Sequence, residues 1–184
     1  MTEKPEDKYV HSGKLEEVMR LEAQAKAFGR LLEKEFEIVG LKSGMKVLDA
    51  GCGTGAVARR MAAKVSPGEI HGIDIDSLFI SEARKLAANE GISNVRFDVG
   101  DVDDLKHDDG VFDVSYCRLV LMHIKDPVKT VKELKRVTKK EGVVAVSDND
   151  DGGVLTYPEM PKMMDLWAKY GRSAKTRGED RYIG

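Results

Sequence analysis

The chain has 184 residues, 41% of them hydrophobic and 34% charged; a folded monomer of that size buries roughly 70% of its unfolded surface, which excludes disorder over the whole length. Its 30 basic and 32 acidic side chains leave a net charge of −2, which argues against a protein that holds nucleic acid mainly through its phosphates. No apolar run approaches ~18 residues, the polar start MTEKPEDKYVHSGK does not read as a secretory signal, and the two cysteines, Cys52 and Cys117, are too few for a disulfide scaffold or a four-ligand zinc site. The chain therefore reads as cytoplasmic, with no membrane partner and nucleic acid disfavoured.

Residues 1–8 are charged and expected to fray. From Lys14 to about Val39, the residues Leu15, Val18, Met19, Ala23, Ala27 and Leu31 recur at helical steps and predict one long helix, ended by Gly40 and Lys42-Ser43-Gly44. Strand and helix then alternate. Lys46–Ala50 reads as a strand, Thr54–Val65 as a helix and Glu69–Asp74 as a strand. Ser77–Glu90 reads as a helix, with Ser77 or Asp76 as its N-cap and Gly91 closing it. Asn94–Val99 and Val111–Cys117 follow as strands, and Arg118–Ile124 as a short helix. Asp126-Pro127 opens a further helix, with Val128, Val131, Leu134 and Val137 as its buried face and Gly142 as its end. The run Val143–Ser147 reads as a fifth strand covered on both faces. Tyr157–Gly171 looks helical. The alternation predicts an α/β fold, a doubly wound, mostly parallel sheet.

The informative segment is Val47-Leu48-Asp49-Ala50-Gly51-Cys52-Gly53-Thr54-Gly55, at a strand-to-helix turn. Its glycines let the backbone turn tightly and approach a ligand, and the helix that follows brings its N-terminus to the same place. Asp74 ends the next strand, where a carboxylate can accept from both hydroxyls of a ribose; its alternative use is as a helix cap. Gly51 to Ala56 also match the dinucleotide fingerprint G-x-G-x-x-[GA], so a nicotinamide-dependent oxidoreductase is one alternative and a non-catalytic cofactor-binding protein another. Charge separates the ligands. Asp49, Asp74, Asp76 and Asp101 fall at or just past strand ends, and Asp103 and Asp104 follow closely. Like charges ~6 Å apart repel by about 3 kcal/mol at an effective dielectric near 20, so a pyrophosphate suits this rim less well than a cation-bearing nucleoside.

Residues 44–148 resemble a class I S-adenosylmethionine-dependent methyltransferase. The glycine segment is similar to the family's first motif over its whole length. His71-Gly72-Ile73-Asp74-Ile75-Asp76 is similar to the second, Phe97-Asp98-Val99-Gly100-Asp101-Val102 to the third, and Phe112-Asp113-Val114-Ser115-Tyr116-Cys117 to the fourth strand. Lys135 to Gly142 resemble the turn before the fifth strand, with Lys140-Glu141-Gly142 in place of a more usual Pro-Gly-Gly. The resemblance implies a Rossmann-like sheet of order 3-2-1-4-5 and S-adenosylmethionine as cofactor. It places Gly51, Gly53 and Gly55 beneath the methionine portion, with Asp49 among the rim acids. Asp74 falls on the ribose, Ile75 on the adenine, and Asp101 with Val102 about the adenine. The backbone carbonyl of Cys117 takes the ammonium. Met19 to Gln24 look like an upstream helix of some members, in which Arg20 pairs with the cofactor carboxylate; a solvated helical face is the alternative.

Methyl transfer needs alignment more than a catalytic triad. His123 is the candidate base, its alternative being a packing residue of the short helix. Asp148-Asn149 after the fifth strand resembles metal-dependent catechol-type enzymes, but those also need an Asp where this chain has Cys117, so no metal is expected. The acceptor is expected to be a small molecule, with a protein or RNA acceptor left open. Met160, Met163, Met164 and Trp167 share a helical face, for packing or for acceptor contact. Residues 1–43 are expected to form a helical cap, 44–148 the cofactor-binding core and 149–184 part of an acceptor region. The family's sheet has seven strands and five are counted here, so a truncated chain lacking the terminal antiparallel pair is expected, with the fifth strand an open edge.

Overall fold

A computed structural model describes residues 15–153 and 157–183. The expected fraying of residues 1–8 lies outside them. The elements in chain order are α1 (Leu15–Ala27), α2 (Gly29–Val39), β1 (Lys46–Ala50), α3 (Ala56–Val65), β2 (Glu69–Asp74), α4 (Ser77–Asn89), β3 (Val95–Val99), β4 (Phe112–Arg118), α5 (Pro127–Val137), β5 (Thr138–Ser147) and α6 (Pro161–Thr176). Short 3₁₀ turns occupy Leu121–His123 and Asp151–Gly153.

Among the described residues the sheet has five strands in the order β3-β2-β1-β4-β5, all parallel. The apolar run of β1 explains its central place: Val47, Leu48 and Ala50 are buried between β2 and β4. Side chains alternate between two cores. On one face Val47, Ile70, Val114 and Tyr116 pack with Leu32 and Phe36 of α2, Met61 of α3 and Ile80 of α4. On the other, Leu48, Ile73, Phe112 and Cys117 pack with Leu134 and Val137 of α5. The chain leaves β1 toward β2 and β3, then returns to β4 and β5 on the other side. The carboxyl end of β1 is therefore the switch point where such sheets bind ligands.

Four expectations need correction. The helix expected over 14–39 is broken at Phe28, and its buried stripe is different: Val18 and Ala25 face inward, whereas Met19 and Leu31 are exposed. The break lets α1 and α2 present separate faces. In α5, Val128 (61% exposed) and Val131 (37%) look outward, and Thr130 joins Leu134 and Val137 inside. Burial of Thr130 is possible because its hydroxyl donates to Asp103. Gly142 does not end α5. Thr138 passes straight into β5, whose pairing jumps from Phe112↔Thr138 to Val114↔Val143. Gly142 sits in that bulge, where a Cβ would lie 2.6 Å from the Asp113 carbonyl. Lastly, β5 is the edge strand, so Val143 and Val146 are exposed rather than covered on both faces.

Helix α6 begins later than expected, at Pro161; Met163, Met164 and Trp167 on it, and Met160 just before it, are all exposed, not packed in a core. Asp76 caps α4, accepting from the N–H of Leu78 at 2.8 Å, and Gly91 follows the helix in a left-handed conformation. Among the described residues no helix is long and apolar enough to cross a membrane.

Candidate active site

A cavity of about 470 Å³ opens at the carboxyl ends of β1, β2 and β4. Its floor is the bend after β1. Gly51 and Gly53 have positive φ (75° and 52°), and the N–H groups of Gly51 and Cys52 both donate to the Ile73 carbonyl, at 2.7 and 3.0 Å. These bonds tie the bend to the end of β2. A Cβ on Gly51 would lie 2.3 Å from a Val120 methyl, so the missing side chain there admits Val120. Gly55 is used differently: a Cβ on it would meet the Phe97 ring at 2.5 Å, as would one on Gly72. Those two glycines make room for a core ring.

The acids gather as expected, with separate environments. Asp49, Asp74, Asp76 and Asp101 all line the cavity. Asp74 accepts from the N–H of Gly53 at 2.8 Å and of Asp76 at 2.9 Å, so its carboxylate braces the glycine bend. Burial nevertheless raises its pKa. Asp49 is the extreme case. It is 3% exposed, and its Oδ2 has no hydrogen-bond partner. Burial, aided by the Asp74 charge and opposed by Arg118, pushes its carboxyl up to about 7. Asp76 is engaged as the α4 cap, and Asp101 accepts from the Asp103 N–H at 2.9 Å. Asp103 and Asp104 lie away from the cavity, paired with Thr130 and Lys106, so the acidic rim is smaller than the sequence suggests.

Of the other expected residues, Arg20, Ile75, Val102 and His123 line the cavity, while Gly55 and Cys117 do not. Arg20 is ion-paired with Glu17 on its own helix. The buried thiols of Cys52 and Cys117 are free, and burial pushes both up in pKa, which disfavours a thiolate nucleophile. In the loop after β5, Asp150 accepts from the Gly152 N–H and Asp151 pairs with Arg181; no metal-binding group of three side chains occurs among the described residues.

The structure adds wall residues that the sequence did not disclose. Arg118 enters from the end of β4, held by Glu35 of α2 at 3.1 Å and stacked on Phe28. Leu119 follows with φ 57°, an uncommon conformation for leucine, and this turn directs Val120 onto Gly51. Tyr170 and Arg181 arrive from the last described segment, Arg181 stacked on Tyr170 and bonded to Asp151 at 2.8 Å. A charged residue ending β4 was the one available signal, and it pointed to Arg118. Tyr170 and Arg181 carry no local motif.

The geometry is thus a bare backbone bend beneath a cleft that holds a buried carboxylate with one unpartnered oxygen. A positively charged group is the natural complement of that carboxylate. A family model for a methyltransferase domain matches residues 41–181. The chain is 35% identical over 107 residues to the ubiquinone/menaquinone biosynthesis C-methyltransferase UbiE of Bdellovibrio bacteriovorus, covering 58% of this chain and 45% of that one. It is similar to the crystal structure of the YcgJ protein of Bacillus subtilis, at 30% identity and a TM-score of 0.62, over 65% of this chain and 50% of that one. A SAM-dependent methyltransferase of Aquifex aeolicus shares the fold with a TM-score of 0.63 at 24% identity, over 78% of each chain. The chain spans about half or less of the length of the curated relatives it matches, for example 43%, 34% and 29%.

Proposed function

The chain belongs to this methyltransferase domain family, and from that premise we propose that it transfers the methyl group of S-adenosylmethionine to a small-molecule acceptor. The observation that carries the reading is Asp49: a buried carboxylate with an unpartnered oxygen, on the wall of a cavity of about 470 Å³ that opens at the glycine bend.

The residues fit that cofactor. Asp49 would hold its ammonium, in place of the Cys117 carbonyl, since Cys117 does not line the cavity; Asp74 would hold the ribose hydroxyls, Ile75 and Val102 the adenine, and Asp101 would accept from the adenine amino group. Arg20 would face its carboxylate. When bound, the cofactor supplies a methyl carbon already activated by a sulfonium. The chain's own work is alignment and exclusion of water: α1 closes one side of the cleft and Val120 another. His123, on the acceptor wall, is the base we assign where the acceptor must lose a proton. A cavity of about 470 Å³ and a relative named for quinone biosynthesis support a small acceptor. On this reading the described residues up to 43 are a cap, 44–148 the cofactor core and the described residues from 149 onward part of the acceptor wall; the rest of the expected 1–43 and 149–184 segments lies outside the described residues. A reducing, cytoplasmic setting suits two free buried thiols.

Calorimetric titration with S-adenosylmethionine, S-adenosylhomocysteine and NADH tests the reading. The first two are expected to bind; NADH binding in their place would reverse it in favour of an oxidoreductase. Firm binding with no methyl transfer to any acceptor class would leave a cofactor-binding protein. Asp74→Ala is expected to weaken S-adenosylmethionine by ~1–3 kcal/mol, and unchanged affinity would remove Asp74 from the site.

A further inference from the structure

We propose that Glu22 and Arg59 form a latch that holds α1 shut over the glycine bend and so sets how long the adenosyl ligand stays in its cleft; this rests on the function proposed above. Helix α1 supplies Arg20, Leu21, Gln24 and Ala25 to the cavity wall. It lies directly on the bend: the Leu21 Cδ1 is 3.4 Å from the point where Gly53 would carry a Cβ. Helix α1 is therefore one wall of the cleft in which a ligand on the bend would sit.

Little apolar packing holds α1 there. Val18 and Ala25 are its buried hydrophobic residues among those described, both small, and Met19 is 72% exposed. The polar attachment is more specific. Glu22 accepts from the Thr54 hydroxyl through Oε1 at 2.6 Å and from Arg59 Nη2 through Oε2 at 2.7 Å. Arg59, with its side chain 5% exposed, also donates to the Thr54 carbonyl at 2.7 Å and to Glu90 at 3.1 Å. One guanidinium thus joins α1, the glycine bend and the end of α4.

Arg59 lies in the first turn of α3, where the helix dipole opposes a cation. With α1 closed, the two carboxylates offset that field and the desolvation of the guanidinium. With α1 open, water replaces Glu22. Both states satisfy the arginine, which is what a reversible closure requires. The break at Phe28 supplies the pivot. Phe28 N–H still donates to the Gln24 carbonyl at the end of α1, and the Phe28 carbonyl accepts from Leu32 N–H in the first turn of α2, so each helix is hydrogen-bonded up to the break. Helix α2 beyond the kink is fixed by buried Leu32 and Phe36.

The test is the release rate of S-adenosylhomocysteine from the full chain, by surface plasmon resonance, at low and high salt. Glu22→Gln is expected to release it roughly tenfold or more faster, and Arg59→Lys to fall between Glu22→Gln and the wild type. Because Arg59 is buried, each variant is expected to lose some stability; release is therefore read well below each variant's melting temperature, where the ligand-free chain stays folded. High salt should speed release from the wild type, whose ion pair is partly exposed, and have little effect on Glu22→Gln. Wild-type release rates in both variants, or a wild-type rate indifferent to salt, overturn the latch. A wild type that binds no adenosyl ligand sinks the proposed function and the latch with it, an outcome distinct from binding with unchanged release.

Discussion

Lowering the pH from 8 to 6 should weaken S-adenosylmethionine binding through Asp49. Its carboxyl stands at about 7 in the ligand-free cleft because burial and Asp74 disfavour the charge. A cation against its free oxygen favours the ionised form, so binding draws the pKa down and releases a proton. Affinity is then complete above pH 7 and falls as the pH drops below it. The ionised fraction goes from about nine-tenths at pH 8 to about one-tenth at pH 6. The dissociation constant should therefore rise roughly tenfold, about 1.4 kcal/mol. Calorimetry in two buffers of different protonation enthalpy, with Asp49→Asn subtracted to remove the titration of the ligand's own ammonium, reads the Asp49 proton: close to none at pH 8, about half at pH 7 and nearly one at pH 6. His123 also lines the cavity, so Asp49→Asn is the control and should bind weakly with a flat profile. The same residue has the opposite effect on folding. A carboxyl raised above its ordinary value of 3.8 stabilises the ligand-free fold in acid, and that stability is lost as the pH rises through about 7. Asp49→Asn should thus be at least as stable as the wild type at pH 8 without ligand. A flat profile in the wild type, or an equal slope in Asp49→Asn, would refute the reasoning.

Gly51→Ala places a methyl 2.3 Å from Val120 at φ 75°; urea melts should show a loss of ~2–4 kcal/mol. Adding Val120→Ala should return the steric part and leave ~1–2 kcal/mol for the backbone, whereas strict additivity of the two losses would dismiss the contact. Glu35→Ala strips the partner from Tyr116, Arg118 and Ser147 and leaves Arg118, 9% exposed, without its ion pair; a loss of about 3 kcal/mol is expected, and less than about 1 kcal/mol would count against it. His71, bonded to Asp98, His107 and Arg96, is held down to about 4 by its burial. Its contribution to stability is full above 6.5 and falls as the pH drops toward about 4; His71→Gln should flatten denaturation midpoints between pH 7 and 5, and an unchanged slope would remove His71 from the account.

Much of the sheet was legible because strand and helix alternate in short runs and β1, β2 and β3 each have an acid at or just past the carboxyl end, which parallel order carries to one edge. Asp49, Asp74 and Asp101 could be gathered into a site before any coordinates. What failed was choice of face. Helical spacing is blind to a short break such as that at Phe28, so it places Met19 and Leu31 on the inward stripe although both are exposed. Val128 and Val131 outrank Thr130 in hydropathy, yet Thr130 is buried because Asp103 receives its hydroxyl. Val143 and Val146 read as doubly covered because an apolar run does not reveal that the edge strand, expected from the order 3-2-1-4-5, lacks full cover on its faces. Glu35 and Arg118 are far apart in sequence and meet only through tertiary packing.

Phe97 occupies the space that side chains at Gly55 and Gly72 would fill. A descendant that had abandoned its chemistry would still need both glycines for as long as that ring stayed in place. The familiar fingerprint can therefore outlive the activity it advertises. Asp49 has no such protection, since its charge strains the empty protein and is repaid only by a guest. In a lineage drifting toward a silent scaffold, that acid would vanish before the glycines did.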